Sequence, residues 1–204
     1  MTESLPFEAV VAGTRLRLLR GDITEQQVDG IVNAANPLLT PGGGVSGAIH
    51  RAGGPEVTRA AAALRRERGP LSPGEAVITP GGNLPARWVL HTVGPVWRGG
   101  RHGEAEALAR AYSACLRLAV ERGLSTLAFP SISTGVYGYP VEKAAPVALG
   151  AVRAFLEEHP RALAEVRFVL FSSSDLEAYR RAWEALARGP NDAGGPTPLV
   201  RSPA

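Results

Sequence analysis

The residues best suited to bind a ligand lie in the stretch Val32–Gly54, which contains VNAANPLLTPGGGVSGAIHRAGG. Two asparagines, Asn33 and Asn36, precede a run of glycines, and an apolar pattern of helical period follows. A helix that begins after a glycine-rich loop presents free backbone N–H groups and the positive end of its dipole. This first loop is therefore predicted to bind an anion, most simply a phosphate ester. The alternative is a loop that only turns the chain.

A second loop, residues 130–140 (PSISTGVYGYP), has the composition needed to wrap a diphosphate. Hydroxyls such as Ser131, Ser133 and Thr134, together with flexible backbone N–H groups, supply hydrogen-bond donors without a lysine. Tyr137 stands at the centre of this loop. Its ring either covers a sugar or anchors the loop in the core, and the sequence leaves both interpretations open.

Each loop follows a predicted strand and precedes a predicted helix. Period-two alternation predicts that residues 14–19 form a half-buried edge strand, and Thr24 is expected to cap a helical turn at 25–27. Strands that alternate with helices predict an α/β sheet covered on both faces, made mixed by its first two strands. The predicted strands are 7–11, 14–19, 30–33, 76–79, 88–92, 126–129 and 166–171, and the helices are 45–52, 55–68, 104–122, 141–158 and 174–186.

Because ligands bind at the carboxyl ends of strands in open α/β sheets, both loops are expected at one edge of the sheet. At 204 residues the chain is expected to form one domain over 1–187, followed by a Pro- and Gly-rich tail, 188–204, that is predicted to be disordered. A monomer is the default expectation.

Composition and charge narrow the class of protein. The net charge is +3, but the cationic residues are scattered, so nucleic-acid binding is not predicted. Cys115 is the only cysteine and is predicted to pack in a core, which together with the lack of a signal-peptide pattern predicts a cytoplasmic protein. No apolar run is long enough to span a membrane, so membrane association is not predicted either.

Common nucleotide and metal motifs do not explain the loops. The chain lacks the phosphate-binding GxxxxGK[ST] sequence, and its histidines are dispersed, so neither a metal nor another cofactor is predicted. Gly42, Gly44 and Gly47 match a dinucleotide fingerprint in spacing. The segment NPLLTP separates them from the strand end, and an NAD-dependent enzyme is therefore a disfavoured alternative.

Four motifs in order resemble a macro domain of the MacroD-like branch. They are GDIT at 21–24, NAAN at 33–36, GGGVSGAIHRAGG at 42–54 and PSISTGVYGYP at 130–140. The resemblance covers the chain to about residue 187. It implies a three-layer α/β/α sandwich with a mixed, mostly parallel central sheet. It also implies binding of ADP-ribose and hydrolysis of ADP-ribosyl esters, either O-acetyl-ADP-ribose or mono-ADP-ribose on acidic side chains of proteins.

The resemblance also assigns roles to individual residues. Asp22 matches the acceptor for the adenine amino group, with the Ile23 backbone beside it, and Phe171 matches the aromatic residue against adenine. Asn36 matches the asparagine at the distal ribose, where the bond is cleaved. The residues that match the two phosphate loops are Gly43, Gly44, Val45, Ser131, Ser133, Thr134, Gly135, Val136 and Tyr137.

Ser46 departs from the family pattern, because hydrolytic members of this branch usually carry aspartate at that position to orient or activate water. A serine hydroxyl can hold water but is no general base near neutral pH, and such a base is worth about 10²–10⁴-fold in rate. Asn36 and Ser46 are the catalytic candidates. Two functions stay open: a hydrolase in which the ligand's own phosphate positions the water, or an ADP-ribose reader that does not turn over.

Overall fold

The computed structural model describes residues 6–189, and the last part of the predicted tail, 190–204, lies outside them. Seven strands and five α-helices follow one another within the described residues. The strands are β1 (Phe7–Val11), β2 (Thr14–Arg20), β3 (Gly30–Ala34), β4 (Ala76–Pro80), β5 (Trp88–Thr92), β6 (Thr126–Phe129) and β7 (Glu165–Leu170). The helices are α1 (Gly44–Gly53), α2 (Pro55–Arg68), α3 (Glu104–Glu121), α4 (Val141–Glu158) and α5 (Ser173–Arg188).

All seven strands form one sheet in the order β1-β2-β7-β6-β3-β5-β4. Neighbouring strands from β2 to β5 are parallel, and the two outer pairs, β1/β2 and β4/β5, are antiparallel. The mixed, mostly parallel sheet is confirmed, but its mixed character comes from both edges and not only from the first two strands. The carboxyl ends of five parallel strands therefore meet at one edge, as the loop positions require.

Helices cover both faces of the sheet, which confirms the three-layer sandwich. On one face α3, α4 and α5 enclose the larger core, where the rings of Phe129 and Phe168 stack 5.7 Å apart beside Tyr112. Cys115 packs in this core as predicted, and burial raises the pKa of its thiol to about 12. On the other face α1 packs through Ile49, and α2 packs through Ala61.

The prediction that 14–19 is an edge strand is wrong, because β2 pairs with both β1 and β7. The polar residues that alternate along β2 point to a face that carries ion pairs. There Arg15 and Arg17 both lie within ion-pair distance of Glu8 and Glu165. Polar–apolar alternation shows that one face of a strand is not in the core, and it does not show that the strand lacks a neighbour.

Two helix starts also differ from the sequence expectation. The turn after β2 is a 3₁₀ turn at Ile23–Glu25, and its cap is Asp22, whose Oδ1 accepts from Thr24 N at 2.8 Å. Thr24 is therefore inside the turn and does not cap it. At the start of α5 the cap is Ser172, which accepts from Asp175 N at 3.1 Å.

We expect Asp29→Ala to destabilise the fold, because Asp29 Oδ2 accepts from Ser125 N at 2.7 Å and Thr126 N at 3.0 Å and so joins the starts of β3 and β6. The expected loss is about 1–2 kcal/mol in the free energy of unfolding, measured by urea denaturation. Asp29→Asn keeps one acceptor and should lose less. An unchanged midpoint for Asp29→Ala would show that water replaces the carboxylate.

Candidate functional site

A cleft of about 290 Å³ opens at the carboxyl edge of the sheet, between the first and second loops. It contains no acidic or basic side chain among its lining residues. Its polar groups are hydroxyls, one amide and backbone atoms. The lining residues are Ala34, Ala35, Asn36, Gly42, Gly43, Gly44, Val45, Ser46, Gly94, Ser131, Ser133, Gly135, Val136 and Tyr137.

The start of α1 forms one wall of the cleft. Its N-cap, Gly43, supplies no side-chain cap, so the N–H groups of the first turn have no side-chain partner at the cap. Ser46 lies in this first turn and is 6% exposed, and its Oγ has no hydrogen-bond partner within the protein. A buried donor without a partner costs free energy, so this hydroxyl is placed to bind a ligand or a water.

The first loop is held in shape by Asn36, which lines the cleft. Its Oδ1 accepts from Leu38 N at 3.1 Å and Thr40 N at 3.2 Å, and its Nδ2 donates to Thr40 O at 3.0 Å. The side chain that the sequence assigns to the distal ribose therefore also organises the loop. A substitution of Asn36 would change both the cleft contact and the loop geometry.

Two buried tyrosines support the second loop from the core. Tyr112 Oη accepts from Ile132 N at 3.0 Å and donates to Pro130 O at 3.2 Å. Tyr179 Oη donates to Ser131 Oγ at 3.0 Å. The loop thus takes its position from α3 and α5.

The second loop presents one further unpartnered hydroxyl to the cleft. Ser133 has a φ of +67° and is 6% exposed, and its Oγ has no hydrogen-bond partner within the protein. Tyr137 borders the cleft and also packs against the small cluster around Leu39 and Leu71. The packing agrees with an anchoring role for the ring, and contact with a sugar stays a prediction.

Two glycines permit close approaches that set the cleft's width. A Cβ on Gly47 would lie 2.4 Å from Gly42 O. A Cβ on Gly94 would lie 2.1 Å from Ser133 Oγ and 2.6 Å from Ile132 Cγ2. Real Cβ atoms do not come so close to other atoms, so a side chain at either position would push the cleft walls apart.

The predicted adenine-binding residues lie outside this cleft but at the same edge of the sheet. Asp22 and Phe171 follow the neighbouring parallel strands β2 and β7, and Gly21 N donates to Leu170 O at 3.0 Å between them. Phe171 is 85% exposed. Asp22 uses Oδ1 to cap the 3₁₀ turn, which leaves Oδ2 for a ligand. The side chain of Ile23 is buried.

Sequence analysis did not single out Gly94, nor did it predict the hydrogen bonds of the buried residues His50 and His91. Gly94 follows β5 at the carboxyl edge, and a glycine just after a parallel strand was the available signal.

His91 is fully buried between Asn33 and Thr79. Its Nδ1 lies 3.1 Å from Asn33 Nδ2, its Nε2 lies 2.9 Å from Thr79 Oγ1, and burial lowers its pKa to about 3. Burial also lowers the pKa of His50, whose Nδ1 lies 2.9 Å from Thr58 Oγ1.

Comparisons with known proteins agree with this architecture. Residues 32–148 match the family model described as Macro domain. A macro domain-containing protein of Caldanaerobacter subterraneus is 52% identical over 172 residues, covering 84% of this chain and 97% of the relative. An O-acetyl-ADP-ribose deacetylase of Enterobacter sp. is 52% identical over 168 residues, covering 82% and 92%. The chain belongs to the macro domain family.

Solved structures show the same relationship. The Oceanobacillus iheyensis macrodomain with ADP superposes with a TM-score of 0.86 at 41% identity, covering 90% of this chain and 97% of that one. The Trypanosoma brucei macrodomain in complex with ADP-ribose gives a TM-score of 0.75 at 43% identity, covering 82% and 68%. The fold inferred from the motifs is therefore confirmed.

Within the described residues the structure has neither a candidate membrane span nor a candidate metal site. Residues 6–189 contain no helix with the length and apolar character that a membrane span requires. Over the same residues, no three histidine, cysteine, aspartate or glutamate side chains come together as a metal site would require.

We expect Gly94→Ala to weaken ligand binding, because the added methyl group would displace Ser133 and Ile132 on the second loop. The expected loss of ADP-ribose affinity is at least about tenfold, equivalent to 1.4 kcal/mol or more. Calorimetry measures the affinity, and far-UV circular dichroism checks the fold. Gly150→Ala on α4, where an added Cβ meets nothing within 4 Å, is the matched control. Equal affinities for the two variants would contradict the close-approach argument.

Proposed function

We propose that this chain binds ADP-ribose in the cleft and hydrolyses ADP-ribosyl esters. The observation that carries the proposal is an uncharged cleft walled by the start of α1 and by the unpartnered hydroxyls of Ser46 and Ser133. Such donors suit a diphosphate, and the lining contains no carboxylate to repel it. The relatives named O-acetyl-ADP-ribose deacetylase and the neighbours solved with ADP or ADP-ribose support the same ligand.

The order of the strands gives the ligand a direction. Asp22 follows β2 and Asn36 follows β3, and β7 and β6 lie between those strands. Three inter-strand spacings amount to about 14 Å, a length that an extended nucleoside diphosphate sugar can span. In the proposed pose adenine lies between Asp22 and Phe171, the diphosphate lies between the two loops, and the distal ribose reaches Asn36.

Hydrolysis adds one water across the ester bond and releases ADP-ribose and a carboxylic acid. In the proposed mechanism Ser46 Oγ holds the attacking water, while a phosphate oxygen of the ligand positions it and receives its proton. The water oxygen bonds to the acyl carbon, the bond from that carbon to the ribose oxygen breaks, and the proton passes to the ribose oxygen. Ordering water beside the ester supplies catalysis through proximity. Among the lining residues no histidine, aspartate or glutamate is present to act as a general base, so turnover is expected to be slow.

A non-catalytic reader of ADP-ribose is the second candidate function. The absence of an ionisable base from the residues that line the cleft favours it. A time course with O-acetyl-ADP-ribose, run beside an ADP-ribose titration by calorimetry, separates the two. Binding with cleavage above the spontaneous rate supports the hydrolase, and binding without cleavage supports the reader. Absence of binding would contradict both.

We expect Ser46→Asp to raise kcat for ester hydrolysis by about tenfold or more, because the carboxylate would supply a general base worth up to about 10²–10⁴-fold. Affinity for ADP-ribose should stay within a few-fold. Initial rates with O-acetyl-ADP-ribose and calorimetry measure the two quantities, and Ser46→Ala tests whether the hydroxyl holds water. No rate gain in Ser46→Asp would mean that residue 46 does not limit catalysis.

We expect Asp22→Ala to weaken ADP-ribose binding by about 1–3 kcal/mol through loss of the adenine acceptor. Asp22→Asn separates this loss from the structural one, because its amide oxygen can still accept from Thr24 N. Both variants should bind ADP-ribose more weakly than the wild type by calorimetry, whereas affinity for ribose 5-phosphate should not change. Wild-type affinity in both variants would place adenine elsewhere.

A further inference from the structure

Exposed apolar side chains concentrate around the cleft. Five large hydrophobic residues are exposed within residues 6–189, and only Val10 lies away from the carboxyl edge of the sheet. The other four follow β3, β5, β6 and β7, and they are Leu38, Val96, Val136 and Phe171. Val136 lines the cleft, and Phe171 is assigned to adenine, so ADP-ribose would cover both. Leu38 and Val96 would remain uncovered.

Leu38 and Val96 flank the end of the cleft where the reacting bond would lie. They are two residues beyond Asn36 and Gly94, which both line the cleft. Their strands, β3 and β5, are neighbours, and three strands lie between β5 and β2, the strand that Asp22 follows. The group released from the distal ribose would therefore face these two side chains.

The loop after β5 also carries positive charge. Arg98 and Arg101 are exposed, and neither forms an ion pair with any described carboxylate. Lys143 lies nearby, with Nζ 5.4 Å from the ring centre of Trp97. We call Leu38, Val96, Arg98 and Arg101 the distal rim.

Two carboxylates lie close to the distal rim without cancelling its charge. Glu104 is only 2% exposed, and its Oε1 lies 3.4 Å from His102 Nδ1. Glu106 is exposed at the start of α3. Counting Lys143 beside the rim, three cations face the two carboxylates of Glu104 and Glu106, so the formal charge of this surface is +1. Only Glu106 of the two carboxylates is exposed, whereas both rim arginines are exposed.

The distal rim is held against the cleft by Trp97. The backbone N–H of Trp97 donates to Tyr137 O at 2.9 Å, and its ring lies 4.5 Å from that of Tyr139. Gly100 packs on the same ring, since an added Cβ would lie 2.8 Å from Trp97 Cη2. A surface fixed to the second loop needs little ordering to bind a partner, which favours affinity.

We propose that the distal rim binds the polypeptide of a protein that carries mono-ADP-ribose on an acidic side chain, within a segment rich in aspartate and glutamate. The proposal rests on the proposed function, which places the modified side chain at this end of the cleft. Acidic residues beside it would meet Arg98 and Arg101, and the backbone and apolar atoms would contact Leu38 and Val96. An acetyl group ends before this surface, so a small ester would not use it.

The test compares three substrates. Two are peptides with one mono-ADP-ribosylated glutamate, identical except that the flanking residues are glutamates in one and lysines in the other, and the third is O-acetyl-ADP-ribose. The wild type is expected to favour the acidic peptide. In Arg98→Glu/Arg101→Glu, kcat/KM for that peptide should fall at least about fivefold and lose its dependence on ionic strength. Hydrolysis of O-acetyl-ADP-ribose should stay within twofold.

Arg117→Glu/Arg122→Glu is the matched control. Both arginines are exposed near the carboxyl end of α3, beside the start of β6 and therefore at the opposite edge of the sheet. This control should leave the rates with all three substrates unchanged. The proposal would be overturned if kcat/KM for the acidic peptide fell equally in both double variants. It would also be overturned if kcat/KM for this peptide did not fall in Arg98→Glu/Arg101→Glu.

The apolar half of the rim is tested in the same assay. Leu38→Ser/Val96→Ser should lower kcat/KM for both peptides and leave the rate with O-acetyl-ADP-ribose within twofold of the wild type, with Val10→Ser as the control.

If the wild type cleaves none of the substrates, the proposed hydrolase activity is wrong, but binding affinity still tests the distal rim. Calorimetry should then give tighter binding of the acidic peptide than of the lysine peptide or free ADP-ribose, and equal binding would overturn the proposal.

Discussion

Two close approaches to glycines hold the cleft in shape, by a backbone oxygen at Gly47 and by side chains at Gly94, and most features of the site depend on them. Gly47 lets the first turn of α1 pack against Gly42 O, which turns the unpartnered Ser46 hydroxyl into the cleft. Gly94 lets the chain after β5 pass beneath Ser133. Loops from β3, β5 and β6 thus meet within a space that a methyl group would disrupt. The sheet supplies this meeting point, because its parallel strands end at one edge.

The chemistry of the cleft follows from what lines it. Donors surround a volume that contains no ionisable acid or base, so the site favours an anion and offers little direct acid–base assistance. Ser46 shows both properties. Its hydroxyl can hold water or a phosphate oxygen, but it cannot remove a proton near neutral pH. Two buried histidines, His50 on α1 and His91 on β5, are also no source of positive charge, because burial lowers the pKa of both.

The carboxyl edge of the sheet differs on the two sides of the cleft, and the difference arises from the order of the strands. Beyond the cleft, where β2 and β7 end, Asp22 Oδ2 is left for a ligand and Phe171 is exposed. Where β3 and β5 end, the distal rim adds apolar and cationic side chains that do not line the cleft. Trp97 links this rim to the second loop. A ligand in the cleft and a polypeptide on the rim would therefore contact one continuous surface.

The sequence by itself determined the extents of most strands and helices, the two loops and the family. These depend on local periodicity, on glycine and proline, and on ordered motifs such as NAAN and GGGVSG. Only the tertiary structure decided that β2 lies inside the sheet, that β4 runs antiparallel and that Asp22 caps its turn. It also decided that Asn36 organises its own loop and that Gly94 lies under Ser133. The strand pairings and the contact of Gly94 with Ser133 join residues far apart in the chain. The roles of Asp22 and Asn36 depend on how a polar side chain is oriented within its own loop. Local pattern carries neither kind of information.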